Sequence, residues 1–141
     1  MEKIAGQART ELTVEQRERR EIEAAFNFLR DPQTRPASSR PEANKPRGTY
    51  FVNPSSGVLL IASNLPQLDS SKTYQMWVLP KGQAPRPAGL FRPDPAGAAI
   101  HRLNATVDVA GTAALAITVE PASGSAAPTT TPFLVTPVEG T

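Results

Sequence analysis

The chain has 141 residues, 15 Lys/Arg against 13 Asp/Glu, 15 prolines, 9 glycines, one histidine and no cysteine. That length fits one domain with an appendage. The lack of cysteine excludes disulfides, thiolate metal sites and cysteine nucleophiles, and no apolar run approaches the ~18 residues of a membrane span. Residues 1–48 hold 10 Lys/Arg interleaved with 8 Asp/Glu and residues 49–141 balance at 5 against 5, whereas a nucleic-acid reader gathers its basic groups on one face; no nucleic-acid partner is expected.

The first predicted element is a helix over 14–30. Thr13, Val14, Glu15 and Gln16 fit a capping box, in which the Thr13 hydroxyl and the Gln16 side chain satisfy exposed backbone N–H groups. Asp31-Pro32 stops the helix, because proline disfavours helical geometry in the residue before it. Ile22, Ala25, Phe26 and Leu29 form an apolar stripe at helical spacing. Its last two turns are expected to dock and its first two to be solvated. Residues 32–47, with Pro32, Pro36, Pro41 and Pro46, read as a linker or a weak first strand.

From Thr49 onward the text is short strands between turns, near 48–53, 57–64, 72–79, 87–92, 99–108, 112–120 and 131–137. Asn53-Pro54-Ser55-Ser56-Gly57, Asp94-Pro95-Ala96-Gly97 and Val109-Ala110-Gly111 supply turn residues. About seven strands at this spacing predict an all-β fold, an Ig-like antiparallel β-sandwich with an N-terminal α-helix; a barrel is the alternative. Strands 57–64 and 72–79 are apolar on both faces, a pattern that leaves one face needing a cover, and the second half of the helix is expected to supply it. Trp77, Leu79, Leu60, Leu115, Ile117 and Phe133 are the expected core.

Few residues here carry chemistry. His101 is the sole histidine, with no cysteine to complete a metal site and no adjacent carboxylate to make an acid–base pair. Trp77, mid-strand, reads as a large core residue in preference to a ligand platform, and Tyr74 and Gln75 read as a strand start with polar groups to satisfy. Glu120 is the best single candidate for a special role. A carboxylate at a strand end, beside Pro121 and the Ser123-Gly124-Ser125 turn, is placed to accept charge-assisted bonds from that turn's backbone N–H groups. Ser123 and Ser125 lack the Gly-x-Ser-x-Gly context of a nucleophile elbow. No catalytic, cofactor-binding or metal residue is assigned, no cofactor is expected, and an enzyme is not expected.

Several short motifs in a fixed order carry a resemblance: Phe28-Leu29 and Asp31-Pro32, then Leu65-Pro66, Tyr74-Gln75-Met76-Trp77, Gly82, Pro85 and Ala88-Gly89-Leu90-Phe91. Ala116 to Pro121, Gly124-Ser125 and Pro128-Thr129 complete it. Over residues 22 to 136 the chain resembles the C-terminal extracytoplasmic domain of the anti-sigma-K factor family, with Tyr74, Trp77, Gly89, Glu120, Pro121, Gly124, Ser125 and Pro128 as its structural motif residues. The resemblance implies residues 1–31 as a juxtamembrane helix, 32–47 as the linker and 48–141 as the sandwich domain. It implies a single-pass membrane protein at the extracytoplasmic, periplasmic face of a bacterial cell membrane. The sigma-binding region and the membrane helix would lie outside this chain, and regulated proteolysis would release the sigma factor. The implied partners are proteins, a site-specific protease or regulator, with the sigma factor reached only through the cytoplasmic part and a homodimer also compatible. The rival from another class is a cell-surface module that binds a glycan or peptide through an exposed Trp77 or Tyr74.

Overall fold

A computed structural model of the chain describes residues 2–38 and 44–138. Those residues form one helix and eight strands, in two compact units, Met1–Pro32 and Gln33–Thr141.

The first unit is helix α1 (Glu2–Arg30). It begins well before the capping box read from the sequence, so Thr13-Gln16 lies inside the helix and does not start it; the Thr13 side chain lies outside the described residues. Glu, Lys, Ala, Gln, Arg and Leu dominate residues 2–12, and these are good helix formers opposed strongly only by Gly6. The C-terminal stop is where proline places it. The Asp31 N–H bonds back to the Asn27 carbonyl at 3.1 Å, and Pro32 has no N–H to continue. Arg30 closes the last turn by donating to Asn27 Oδ1 at 3.1 Å. The predicted apolar stripe is not the buried face. Ile22, Phe26 and Leu29 are exposed, Ala25 is half-buried and Phe28 is buried. No helix among the described residues is long and apolar enough to cross a membrane.

The second unit is a sandwich of β1 (Arg35–Ser38), β2 (Arg47–Asn53), β3 (Gly57–Ser63), β4 (Lys72–Pro80), β5 (Arg86–Phe91), β6 (Ala99–Leu103), β7 (Thr112–Pro121) and β8 (Phe133–Pro137). Its antiparallel sheets run β1-β2-β3-β6 and β5-β4-β7-β8. With β1 set aside, three strands face four in an Ig-like order. Strand β1 lies within the 32–47 stretch. The strand expected to reach residue 108 ends at Leu103, because the chain then turns so that the Val107 N–H meets the Pro54 carbonyl at 2.9 Å. Strands β3 and β4, read from the sequence as one doubly apolar sheet, fall in different sheets, so each has its own outer face.

Alternation along the strands fills the space between the sheets. Tyr50, Val52, Val58, Leu60 and Ala62 from one sheet meet Tyr74, Met76, Leu115 and Ile117 from the other. Tyr74 stacks on Phe91 with centroids 5.7 Å apart and meets Phe133 edge-on at 5.7 Å, and its hydroxyl donates to the Pro66 carbonyl at 2.7 Å. Tyr50 crosses the sandwich to donate to the Leu134 carbonyl at 3.0 Å, and burial pushes its hydroxyl pKa up. On the β5–β6 side the sheets are joined by His101, whose Nε2 lies 2.8 Å from the Ala88 carbonyl and whose ring stacks on Phe91. Gly89 makes that approach possible. Its φ is +112°, and a Cβ there would lie 2.4 Å from His101 Nε2. Of the expected core, Trp77, Leu60, Leu115 and Ile117 are fully buried, while Leu79 and Phe133 are half-buried.

Leu115→Ala or Ile117→Ala should each lower unfolding free energy by about 2–5 kcal/mol, the range for deleting a well-packed aliphatic side chain. Ile61→Ala, at a 40% exposed position, should stay within about 0.5 kcal/mol of wild type. Urea denaturation midpoints check both, and an unchanged midpoint for Leu115→Ala would misplace β7.

Candidate functional site

The second faces of β4 and β7 carry the concentration of buried polar groups. Facing away from the inter-sheet core, β4 presents Thr73, Gln75 and Trp77 while β7 presents Ala116, Thr118 and Glu120, in register as Thr73↔Glu120, Gln75↔Thr118 and Trp77↔Ala116. All six are buried. Buried polar groups must be paired. The Thr73 hydroxyl donates to the Phe91 carbonyl at 3.1 Å, and the loop between β7 and β8, residues 122–132, supplies partners to Gln75 and Glu120.

Glu120 anchors that loop. Its carboxylate accepts from the Thr118 hydroxyl at 2.5 Å, the Ser125 hydroxyl at 2.7 Å and the Thr129 hydroxyl at 2.6 Å. The Thr129 backbone N–H also donates to it, 3.0 and 3.2 Å from its two oxygens. Thr118 is bonded on its other side, since its oxygen accepts from Trp77 Nε1–H at 2.8 Å. Gln75 is the second anchor. Its Nε2 donates to the Ser125 carbonyl and its Oε1 accepts from the Ser125 N–H, both at 2.9 Å, so the side-chain amide pairs with one backbone residue as a neighbouring strand would. Gly124, with φ +83°, holds the loop close to the sheet; a Cβ there would lie 3.1 Å from Leu90 Cδ2.

The electrostatics follow from these partners. Burial pushes the Glu120 carboxyl pKa up, but the hydroxyl bonds from Thr118, Thr129 and Ser125 and the Thr129 N–H outweigh it. The result falls from 4.5 to about 2. A carboxylate accepting several donors is held ionised, and its oxygens are spent on the protein's own loop.

Of the residues singled out in the sequence, Glu120, Ser125 and Gly124 come together here, with Pro121 ending β7 and Pro128 preceding Thr129. Trp77 joins through Thr118. Tyr74 sits on the opposite face of β4 in the inter-sheet core, and Gly89 serves the His101 contact. Trp77 and Tyr74 are buried, so neither forms an exposed ligand platform. Sequence reasoning missed Gln75, Thr118 and Thr129 as members. An amide inside a strand apolar on both sides was the available signal for Gln75, and spacing of two from Glu120 the signal for Thr118. Thr129 had none, because its place depends on how the loop folds back.

A second feature is a cleft of ≈ 990 Å³ on the side where β1 is an edge strand, lined by groups including Ala37, Val52, Val107, Val109 and Val138, with Arg35 and Asp108 among them. Among the described residues no cluster of three or more His, Cys, Asp or Glu is placed to hold a metal ion.

Comparison with known proteins matches residues 4–133 to the family described as "Anti-sigma-K factor rskA, C-terminal". A Streptomyces griseus protein described as "Uncharacterized protein in phr 5'region" is 35% identical over 130 residues, covering 92% of this chain and 51% of its own length. The chain therefore spans about half the length of that relative. No solved structure matches.

Glu120→Gln keeps the shape but removes the charge and one acceptor, and should cost about 1–3 kcal/mol at neutral pH. The folded carboxyl pKa lies below the unfolded one, so the wild-type stabilisation is complete above about 4.5 and lost as pH falls through about 2. The stability gap between wild type and Glu120→Gln should accordingly narrow over that window in acid titrations followed by circular dichroism. A constant gap would mean the carboxylate is not held by these donors.

Proposed function

The chain belongs to the anti-sigma-K factor family as its C-terminal domain, and from that premise we propose that it is the extracytoplasmic regulatory domain of a membrane-anchored anti-sigma factor. In the whole protein a cytoplasmic region would hold the sigma factor inactive. A membrane helix would connect it to this domain, and regulated proteolysis would end the inhibition. The observation that carries this reading is the extent of the family match, which runs through both units and nearly all of the sandwich.

A protein-facing role draws on how the chemistry-bearing groups are used. Among the described residues the one buried carboxylate is consumed by its own loop, and the His101 ring is engaged with the Ala88 carbonyl and Phe91. The module would act by being folded: a compact domain beside a membrane blocks or presents a cleavage site according to whether its own structure is intact. Its partners would be a protease or regulator outside the cytoplasm, with the sigma factor reached only through the other half of the protein.

A second reading, a surface module that binds an extended peptide, draws on the ≈ 990 Å³ cleft, whose size is that of ligand sites. Peptide titrations followed by NMR would favour it if shifts clustered on Ala37, Val109 and Val138.

The main reading is tested in the native bacterium. Alkaline phosphatase, active only outside the cytoplasm, fused in the full-length protein after the position of Thr141 of this chain should be active, and the full-length protein should retain a sigma factor in the membrane fraction. An inactive fusion, or a full-length protein that retains no sigma factor, would sink it.

A further inference from the structure

The connection from β7 to β8 is long for a hairpin, whose loops usually run to 2–5 residues, yet it lies back on the sheet instead of projecting. Among the described residues its first part is tied by backbone, with Ala122 N–H to the Ser71 carbonyl and Gly124 N–H to the Pro121 carbonyl, both short bonds at 2.9 and 2.7 Å. Beyond Gly124 the ties to the strands run through side chains. Glu120 takes Ser125 and Thr129, Gln75 takes both backbone groups of Ser125, and the Thr130 hydroxyl bonds the N–H and carbonyl of Val119 at 3.2 and 2.8 Å.

The side chains that make these ties are polar. Lifting the loop would hand Glu120, Gln75 and Thr118 to water, which replaces the hydrogen bonds it breaks. Opening the inter-sheet core exposes Leu115, Ile117 and Met76, for which water is a poor substitute. The two events differ in cost, and proteins open locally where few apolar contacts resist. We propose that residues 122–132 form a strap that lifts from the outer face of β4 and β7 as one unit while the sandwich stays folded, with Glu120 and Gln75 as its latch. Gly124 sets how closely the strap seats, because a side chain there would meet Leu90 in a backbone conformation that L residues rarely adopt. Once lifted, the strap is an extended Ser-, Thr-, Ala- and Pro-rich segment, and the polar face it covered becomes accessible. The device does not depend on which protease or regulator the domain meets, so its failure leaves the anti-sigma reading standing.

Hydrogen exchange on the intact 141-residue chain, resolved by residue, tests it. In wild type the Ser125 and Thr129 amides should exchange through an opening insensitive to low denaturant, while the paired amides of β4 and β7 should exchange only through denaturant-sensitive opening. Leu115→Ala weakens the core and leaves the latch intact, so it should speed the β4 and β7 amides by about tenfold or more and Ser125 and Thr129 by less than about twofold. Glu120→Gln should speed Ser125 and Thr129 by about fivefold or more, the loss of bonds to a charged acceptor. Equal acceleration of strap and strands by Leu115→Ala, or no acceleration of the strap by Glu120→Gln, would overturn the proposal, as would a wild-type strap that exchanges only with the strands. If Leu115→Ala does not fold, Ile117→Val provides the same comparison, with the strands accelerated and the strap unchanged as the expected result.

Discussion

Strands β4 and β7 are buried on both faces, though they belong to a sandwich of only two layers. Their inner faces meet the other sheet through Tyr74, Met76, Leu115 and Ile117. Their outer faces carry Gln75, Trp77, Thr118 and Glu120, equally closed to solvent. An ionised carboxylate out of water is costly unless donors surround it, and the donors must come from somewhere. The loop after β7 supplies them. Its small residues let backbone and hydroxyls approach together, and Gly124 removes the side chain that would hold it away. The position of the loop and the ionisation of Glu120 are thus one requirement met once.

The two sheets solve the problem of edges differently on their two sides. Where β5 faces β6, His101 bonds across to Ala88 and stacks on Phe91, with Gly89 making room, so that side is pinned. Where β1 is the edge, the sheets leave a cleft lined mostly by apolar groups. The cleft is not separate from the core, because Val52 and Val107 line it and also belong to the inter-sheet cluster.

Residues that alternate along a strand need only local text to be recognised. The seven strands from β2 to β8, the turns at Asn53, Asp94 and Gly111 and the core role of Leu60, Leu115 and Ile117 were all legible from period and turn chemistry. Glu120 was legible as a strand-end acceptor, but the expected donors, the backbone N–H groups of the 123–125 turn, are replaced by the Ser125 and Thr129 hydroxyls and the Thr129 N–H, because the Ser125 N–H goes to Gln75. The family was legible from the order of short motifs, which the match over residues 4–133 bears out. Less visible was the start of α1, because helix-forming text before a good capping box competes with the box.

By itself, then, the sequence determined the fold class, most strand positions, the family and the identity of the central carboxylate, because each depends on contacts among near neighbours or on motif order. Only the tertiary structure decided which sheet each strand joins, and so separated β3 from β4. It alone brought Gln75 to Ser125, fifty residues apart in the chain, and Thr129 onto Glu120. These are long-range pairings whose energy comes from closing a particular surface, and no local pattern records which surface will close.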